Sequence, residues 1–196
     1  MHKPDDLPVG ATPLDPDEAE DLIPDHISTR GELDAWEQLN IGKGAAWLRR
    51  RGRAEPLLTQ GVLREIHKRM FADTWTWAGR FRQTLKNIGV PPGMIVEQVH
   101  DLLGDTRYWI DHRSFSADEI ACRFHHRLVS IHPFPNGNGR HARLMTDALL
   151  REMGAEAFTW GSGSIDDQGD VRNRYLRALR SADLGDYAPL LVFVRS

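Results

Sequence analysis

Apolar residues recur at helical spacing along most of this chain, and the clearest stripe precedes position 132. Its members are three or four positions apart, so they share one helix face: Ile120, Phe124, Leu128 and Ile131. Ser116 and Glu119 stand just ahead of the stripe with the spacing of a capping box. The pattern predicts a core-facing helix that ends beside His132.

Other segments have the same periodicity, and together they predict a mostly α body. "TRGE" at Thr29 to Glu32 has capping-box spacing and predicts the start of a helix, which Gly42 and Gly44 weaken. A second helix is predicted after Thr59, and two more over residues 94–110 and 140–154. The last of these has its inward residues at Leu144, Ala148 and Leu149.

One segment has a β signal. "QTLKNIGVPPGM", residues 83–94, combines β-forming residues with Gly and Pro punctuation, which predicts a hairpin or an exposed flap. Residues 1–27 hold five of the eleven prolines and many acidic residues, so we expect an extended arm in which a short helix could form at 15–23. The folded domain is predicted over residues 28–196.

Composition narrows the functional classes. The chain has 196 residues, of which 40% are apolar, enough for one sizeable core, and its formal charge of −3 makes nucleic acid an unexpected ligand. The single Cys122 excludes an intramolecular disulfide, predicts a buried thiol and fits a reducing cytoplasm. Neither a signal peptide nor a run of ~20 apolar residues is apparent, so no membrane partner is expected.

The stretch "HPFPNGNGR", residues 132–140, lies between the two clearest helices. Its glycine loop would form a helix N-terminus, where unpaired N–H groups and the helix dipole favour an anion. Arg140 and Arg143 are neighbours on the first turn, where a surface helix more comfortably has acidic residues. The combination predicts a polyanionic ligand, although each feature alone is commonly only a cap or a turn.

His125 and His126 raise the alternative of a metal site. Adjacent helical residues diverge by about 100°, and no carboxylate stands at ligand spacing. We therefore expect these two histidines to be helix-face or core residues.

"HPFPNGNGRHAR" resembles the signature of the Fic family, His-x-Phe-x-Asp/Glu-Gly-Asn-Gly-Arg-x-x-Arg, with one departure at Asn136. "WAGRFR", "FHHRLVSIHPF" and "GDYAPLL" extend the similarity to residues 28–195, and within the family the chain is most similar to the group called mobile mystery protein B. The resemblance implies an all-α Fic fold with a small β-hairpin flap over the active site. It also implies transfer of AMP from ATP, with Mg²⁺ or Mn²⁺, to a hydroxyl side chain of a target protein.

Site roles follow from the matching positions. The reaction needs a base that titrates near neutrality, and His132 suits this role. The backbone of Gly137, Asn138 and Gly139 would hold the phosphates. Arg140 and Arg143 would clamp the outer phosphates, and Phe134 would anchor the loop. The resemblance assigns target docking to the flap positions, which are Lys86, Asn87, Ile88, Gly89 and Val90. These five could equally form a plain surface hairpin.

Asn136 replaces the family's carboxylate with a neutral amide, which should weaken Mg²⁺ binding without abolishing it. A slow adenylyltransferase is one outcome, and a nucleotide-binding or partner-binding domain with little catalysis is another. Phosphotransfer of the toxin–antitoxin kind is a third, and Gly137 and Gly139 argue against it.

Regulation and partners are also expectations. The family's inhibitory motif, Ser/Thr-x-x-x-Glu-Gly/Asn, has no intact copy, since Ser28 and Glu32 are followed by Leu33. The expected partners are therefore a target protein with a Ser, Thr or Tyr hydroxyl and a separate inhibitory chain of the antitoxin type. The acidic arm is a second candidate for masking the site.

Overall fold

The computed structural model describes residues 20–51, 56–162, 165 and 169–196. They belong to two compact units, the first drawn from Met1–Pro56 and Gly61–Phe81 and the second from Leu57–Gln60 and Arg82–Ser196. The α-helices, in chain order, are α1 (Arg30–Arg50), α2 (Gln60–Phe71), α3 (Ile95–Asp111), α4 (Ala117–Ile131), α5 (Asn138–Glu152), α6 (Asp170–Asp183) and α7 (Ala188–Val194). Short 3₁₀ turns lie at Pro92–Met94 and Trp160–Ser162.

The first unit confirms the predicted start of α1. The Thr29 hydroxyl accepts a hydrogen bond from the N–H of Glu32, and the Glu32 carboxylate accepts one from the N–H of Thr29, which completes the capping box. The helix continues through its glycines. A Cβ on Gly44 would lie 2.7 Å from Cγ of Met70, so glycine here lets α1 approach α2 closely.

The second unit is built around α4, which packs against α3 and α5, while α6 packs against α7 and α7 against α4. The predicted stripe is confirmed, because its four members are at most 3% exposed: Ile120, Phe124, Leu128 and Ile131. Cys122 is buried in the adjoining cluster, where desolvation by burial raises the pKa of its thiol to about 12. Of the three residues predicted inward on α5, Ala148 and Leu149 are buried and Leu144 is half-buried.

The predicted capping box at Ser116 is only half formed. The Ser116 hydroxyl accepts from the N–H of Glu119, but the Glu119 carboxylate accepts from Arg123, one helical turn later. The arginine is a charged donor within reach on the same face, so it takes the carboxylate that the box would use.

The prediction of a β-hairpin flap is wrong. The described residues contain no β-ladder and only an isolated bridge between Leu22 and Trp75. Residues 82–91 are irregular instead. The carbonyls of Thr84 and Val90 accept hydrogen bonds from the Arg82 guanidinium, so a side chain takes the place of a facing strand. Gly89, with φ +99°, bends the segment away from extended geometry.

The short helix considered for residues 15–23 falls mainly outside the described residues, which begin at Glu20. Asp21 and Ile23 are in non-helical backbone and exchange main-chain hydrogen bonds with Thr76 and Thr74. Within the described ranges, none of the helices is both long enough and apolar enough to span a membrane.

Candidate active site

His132 ends α4 in a left-handed conformation. Its φ and ψ are 53° and 59°, and its N–H donates to the carbonyl of Leu128 at 3.3 Å. A non-glycine residue rarely adopts this region, and such residues are concentrated at functional sites. The turn ends the helix and sends the chain into the loop at Pro133.

The His132 ring is partly enclosed. Its Nδ1 is buried and, among the described residues, no group meets it with hydrogen-bond geometry, although the carbonyl of Val129 lies near enough to favour a proton on the ring. Desolvation by burial, followed by the positive charges of Arg82 and Lys86, lowers the pKa of His132 from 6.5 to about 4. The imidazole is therefore neutral at physiological pH and can accept a proton.

The loop after His132 is held by a buried side chain. Phe134 is fully buried, and its ring meets His141 edge to face with centroids 5.0 Å apart. The Asn138 amide accepts from the N–H of Phe134 at 2.9 Å and donates to its carbonyl at 2.8 Å. Both main-chain polar groups of Phe134 are satisfied by one side chain, which fixes the path of the loop.

Gly137 caps the N-terminus of α5 with φ +75°, a conformation suited to glycine. Its N–H donates to Oδ1 of Asn136 at 2.7 Å. The first turn of α5 has no acidic residue, so the positive end of the helix dipole is not offset there.

Arg140 and Arg143 both belong to the start of α5 and are half-buried. A Cβ on Gly139 would lie 3.8 Å from Nη1 of Arg143, so this guanidinium lies beside the glycine turn. Its charge adds to the effect of burial in lowering the pKa of His125. Burial raises the pKa of Asp147, and the charge of Arg143 opposes that rise. Two cations at a positive helix end form an arrangement that favours a polyanion.

The segment Lys86 to Val90 lies beside the end of α4. The N–H of Val90 donates to the carbonyl of Ile131 at 3.3 Å, and Lys86 is close enough to lower the His132 pKa. Ile88 is 60% exposed. Lys86, Asn87 and Gly89 are also exposed. The structure thus brings this segment, His132 and the glycine loop to one end of α4.

Few of the described side chains at this site could bind a divalent cation. The described residues contain no group of three or more His, Cys, Asp or Glu that could hold a metal. Asn136 contributes one neutral amide oxygen, which already accepts from Gly137 but has a second lone pair. This donor set fits Mg²⁺ only when phosphates and water supply most of its ligands.

The two neighbouring histidines of α4 are structural. His125 is buried, its Nε2 lies 2.8 Å from the Tyr175 hydroxyl, and burial lowers its pKa to about 3. Nε2 of His126 lies 2.8 Å from Oδ1 of Asp183. Their prediction as helix-face or core residues is confirmed.

Sequence reasoning missed the role of Arg82 in this region. Arg82 is only 2% exposed. Its guanidinium donates to the carbonyl of His132 at 2.7 Å. The available signal was its position, since Arg82 closes "WAGRFR" and immediately precedes the segment with Gly and Pro punctuation. Periodicity does not distinguish such a residue from a surface arginine.

Residues 57–150 match the sequence model of the Fic/DOC family. The protein adenylyltransferase fic-1 of Caenorhabditis elegans is 30% identical over 138 residues, which cover 66% of this chain and 25% of that protein. The chain therefore spans about a quarter of the length of this curated relative.

Two solved structures have the same fold. Fic-1 (residues 134–508) of C. elegans aligns with a TM-score of 0.62 and 26% identity over 81% of this chain and 47% of that one. The BepC protein of Bartonella tribocorum, solved with bound AMPPNP, aligns with a TM-score of 0.68 and 20% identity over 96% and 93% of the two chains.

Proposed function

We propose, from the premise that this chain belongs to the Fic/DOC family, that it transfers AMP from ATP to a hydroxyl side chain of a target protein. The observation that carries the proposal is the junction of α4 and α5. It joins a neutral, partly buried His132 to a glycine-capped helix N-terminus through a loop fixed by Asn138 and Phe134. A base and a phosphate site are thus held on one short, braced segment.

The N-terminus of α5 would bind the triphosphate. The main chain of Gly137, Asn138 and Gly139 lies at the positive end of the helix, where charge developing on phosphate oxygens would be stabilised. The N–H of Gly137 already donates to Oδ1 of Asn136, so phosphate would have to displace that bond to use it. The side chain of Asn138 is committed to Phe134, so only its main chain is available for phosphate. Arg140 and Arg143 would pair with the outer phosphates and the departing pyrophosphate.

His132 would act as the general base. We assign its proton to Nδ1, the buried ring nitrogen, which leaves the Nε2 lone pair to accept a proton. The target hydroxyl oxygen then forms a bond to the α-phosphorus, and its proton passes to Nε2. The bond from that phosphorus to the bridging oxygen breaks, and pyrophosphate leaves.

Asn136 is the position that would contact a phosphate-bound Mg²⁺ or Mn²⁺. The ion would supply charge neutralisation on the phosphates when bound, and Asn136 would hold it with one neutral oxygen. A slow enzyme is the expected consequence of this weak ligand.

The segment Lys86 to Val90 would dock the target protein. It borders His132, and its exposed residues 86–89 would offer N–H and C=O groups to an extended chain, while those of Val90 bond to Ile131 and Arg82. The proposed partners are this target and, since the chain lacks an intact inhibitory motif, a separate inhibitory chain.

Transfer of label from α-labelled ATP tests the proposal. The protein is incubated with Mg²⁺ or Mn²⁺ and bacterial lysate, and we expect label on a target or on the protein itself, abolished by His132→Ala. His100→Ala is the matched control because His100 is an exposed histidine on α3, and it should label like the wild type.

The position of the label separates the alternatives. Transfer from γ-labelled ATP alone would identify a phosphotransferase. ATP binding without transfer of either label would identify a nucleotide-binding domain and would contradict the proposed activity.

A further inference from the structure

Arg82 is a buried cation whose hydrogen bonds run to main-chain carbonyls. Nε donates to the carbonyl of His132 at 2.7 Å, and Nη1 donates to that of Thr84 at 2.8 Å. Nη2 donates to the carbonyl of Val90 and lies 3.5 Å from that of Ile131. One side chain therefore links the end of α4 to both ends of the segment that precedes α3.

This arrangement explains why an arginine is found there. The last carbonyls of a helix have no intrahelical partner and carry the negative end of the dipole, so a cation at Ile131 and His132 is favourable. The guanidinium presents several donors in one plane, which allows it to reach carbonyls on two chain segments at once. A lysine ammonium has the same charge without this fork.

Gly89 packs against the same junction. A Cβ on Gly89 would lie 2.7 Å from Nη2 of Arg82, 2.7 Å from Cβ of His132 and 3.0 Å from the carbonyl of Ile131. Its φ of +99° would also strain any other residue. The segment is therefore packed directly against Cβ of His132 and the carbonyl of Ile131, with no room for a side chain between them.

We infer that Arg82 is a positioning residue that fixes His132 and the segment from Thr84 to Val90 as one unit. A target chain docked on that segment would then present its hydroxyl at a set distance from the imidazole. The catalytic part of this inference rests on the proposed function. The structural link that Arg82 makes between His132 and the segment from Thr84 to Val90 does not. Arg82 acts through His132 and through the segment, and it need not touch substrate.

The charge of Arg82 adds a second effect. The positive charges of Arg82 and Lys86 both disfavour the protonated form of the His132 ring, after the larger effect of burial. The Val129 carbonyl on α4 acts in the opposite direction. Removing the Arg82 charge should raise the pKa of His132, while Arg82→Lys should leave it nearly unchanged.

Three variants of the full chain test the inference. Arg82→Lys keeps the charge and loses the fork, and Arg82→Met loses both. Arg107→Lys is the matched control because Arg107 is an exposed arginine whose Nη1 donates to a single carbonyl, that of Leu58. Amide hydrogen exchange of residues 83–90 reports the position of the segment, and NMR titration reports the His132 pKa.

In Arg82→Lys we expect exchange in residues 83–90, including the Val90 amide, to accelerate about tenfold or more, with the α3 to α5 core unchanged. The KM for ATP should stay within about twofold while kcat/KM for the target falls about 10- to 100-fold, as expected for a misplaced docking segment. Only Arg82→Met should also raise the His132 pKa. Arg107→Lys should match the wild type in every measurement.

Unchanged exchange in residues 83–90 of Arg82→Lys would overturn the inference. Should that variant fail to fold, Gly89→Ala intrudes on the same junction, and unchanged exchange there would overturn it equally. If the wild type transfers no AMP, the proposed function fails, yet exchange and the His132 titration still decide whether Arg82 positions the two segments.

Discussion

The side-chain amide of Asn138 closes a hydrogen-bonded ring on the main chain of Phe134, accepting from its N–H at 2.9 Å and donating to its carbonyl at 2.8 Å. Asn138 is 4% exposed and Phe134 is fully buried, so water cannot replace either bond. The ring explains an asparagine between two glycines. Its side chain shapes the loop, and its main chain faces the helix N-terminus.

Asn138→Ala should destabilise the protein by about 2–4 kcal/mol, because it removes two buried hydrogen bonds to the main chain of Phe134. Urea unfolding followed by circular dichroism measures the change. Asn173→Ala, at an exposed position on α6, should change the free energy of unfolding by less than about 0.5 kcal/mol. Equal effects of the two substitutions would show that the ring contributes nothing to stability.

Arg140→Ala should weaken ATP binding by about 1.5–3 kcal/mol, or roughly 10- to 150-fold in Kd, through loss of a charge-assisted contact to phosphate. Isothermal titration with ATP measures the affinity. Arg151→Ala is the control, since Arg151 is exposed in the last turn of the same helix. An unchanged Kd for Arg140→Ala would contradict the phosphate site at the N-terminus of α5.

The helices that were predicted from the sequence rest on local signals, either a capping residue or an apolar face. Thr29 and the stripe from Ile120 to Ile131 are examples, since the cap and the spacing both lie within a few residues. The left-handed turn at His132 was not predictable, because only a few per cent of non-glycine residues adopt this region, even though histidine is enriched among them. Packing of Gly89 against Cβ of His132 holds that turn, and this contact is remote in sequence.

The flap was predicted as a hairpin because its composition favours β structure, and the error has a tertiary cause. Arg82 supplies donors to the carbonyls of Thr84 and Val90, so the segment satisfies its backbone without a facing strand. A side chain that bonds to carbonyls two and eight positions away leaves no period in the sequence. The boundary of the domain at residue 28 and the roles of the site residues stay predictions.

The pH dependence of His132 should run opposite to that of a histidine stabilised as a cation. Its pKa is lowered to about 4, mainly by burial, so its contribution to stability is present above about pH 6.5 and is lost as the pH falls towards 4. For the same reason kcat/KM should show no loss from His132 protonation between pH 8 and 6.

NMR titration of the ring, assigned with His132→Ala, measures this pKa directly. Bound ATP brings negative charge to the loop and should move the pKa upward. A pKa of 6.5 in the free protein, unchanged by ATP, would contradict both the burial of the ring and its closeness to the phosphates.

Asn136→Asp should convert a weak metal ligand into a strong one. The aspartate carboxylate has the same shape as the asparagine amide, so it can still accept from the N–H of Gly137 while it offers Mg²⁺ a charged oxygen. We expect a lower Mg²⁺ concentration at half-maximal activity and a rate increase of about tenfold or more. Mg²⁺ titrations of wild type, Asn136→Asp and Asn136→Ala, each at saturating ATP, measure both quantities.

Asn136→Ala should need more Mg²⁺ than the wild type, because it removes the amide oxygen altogether. If Asn136→Asp instead loses activity at every Mg²⁺ concentration, the amide N–H groups of Asn136 serve the triphosphate directly, and the metal-ligand role is wrong.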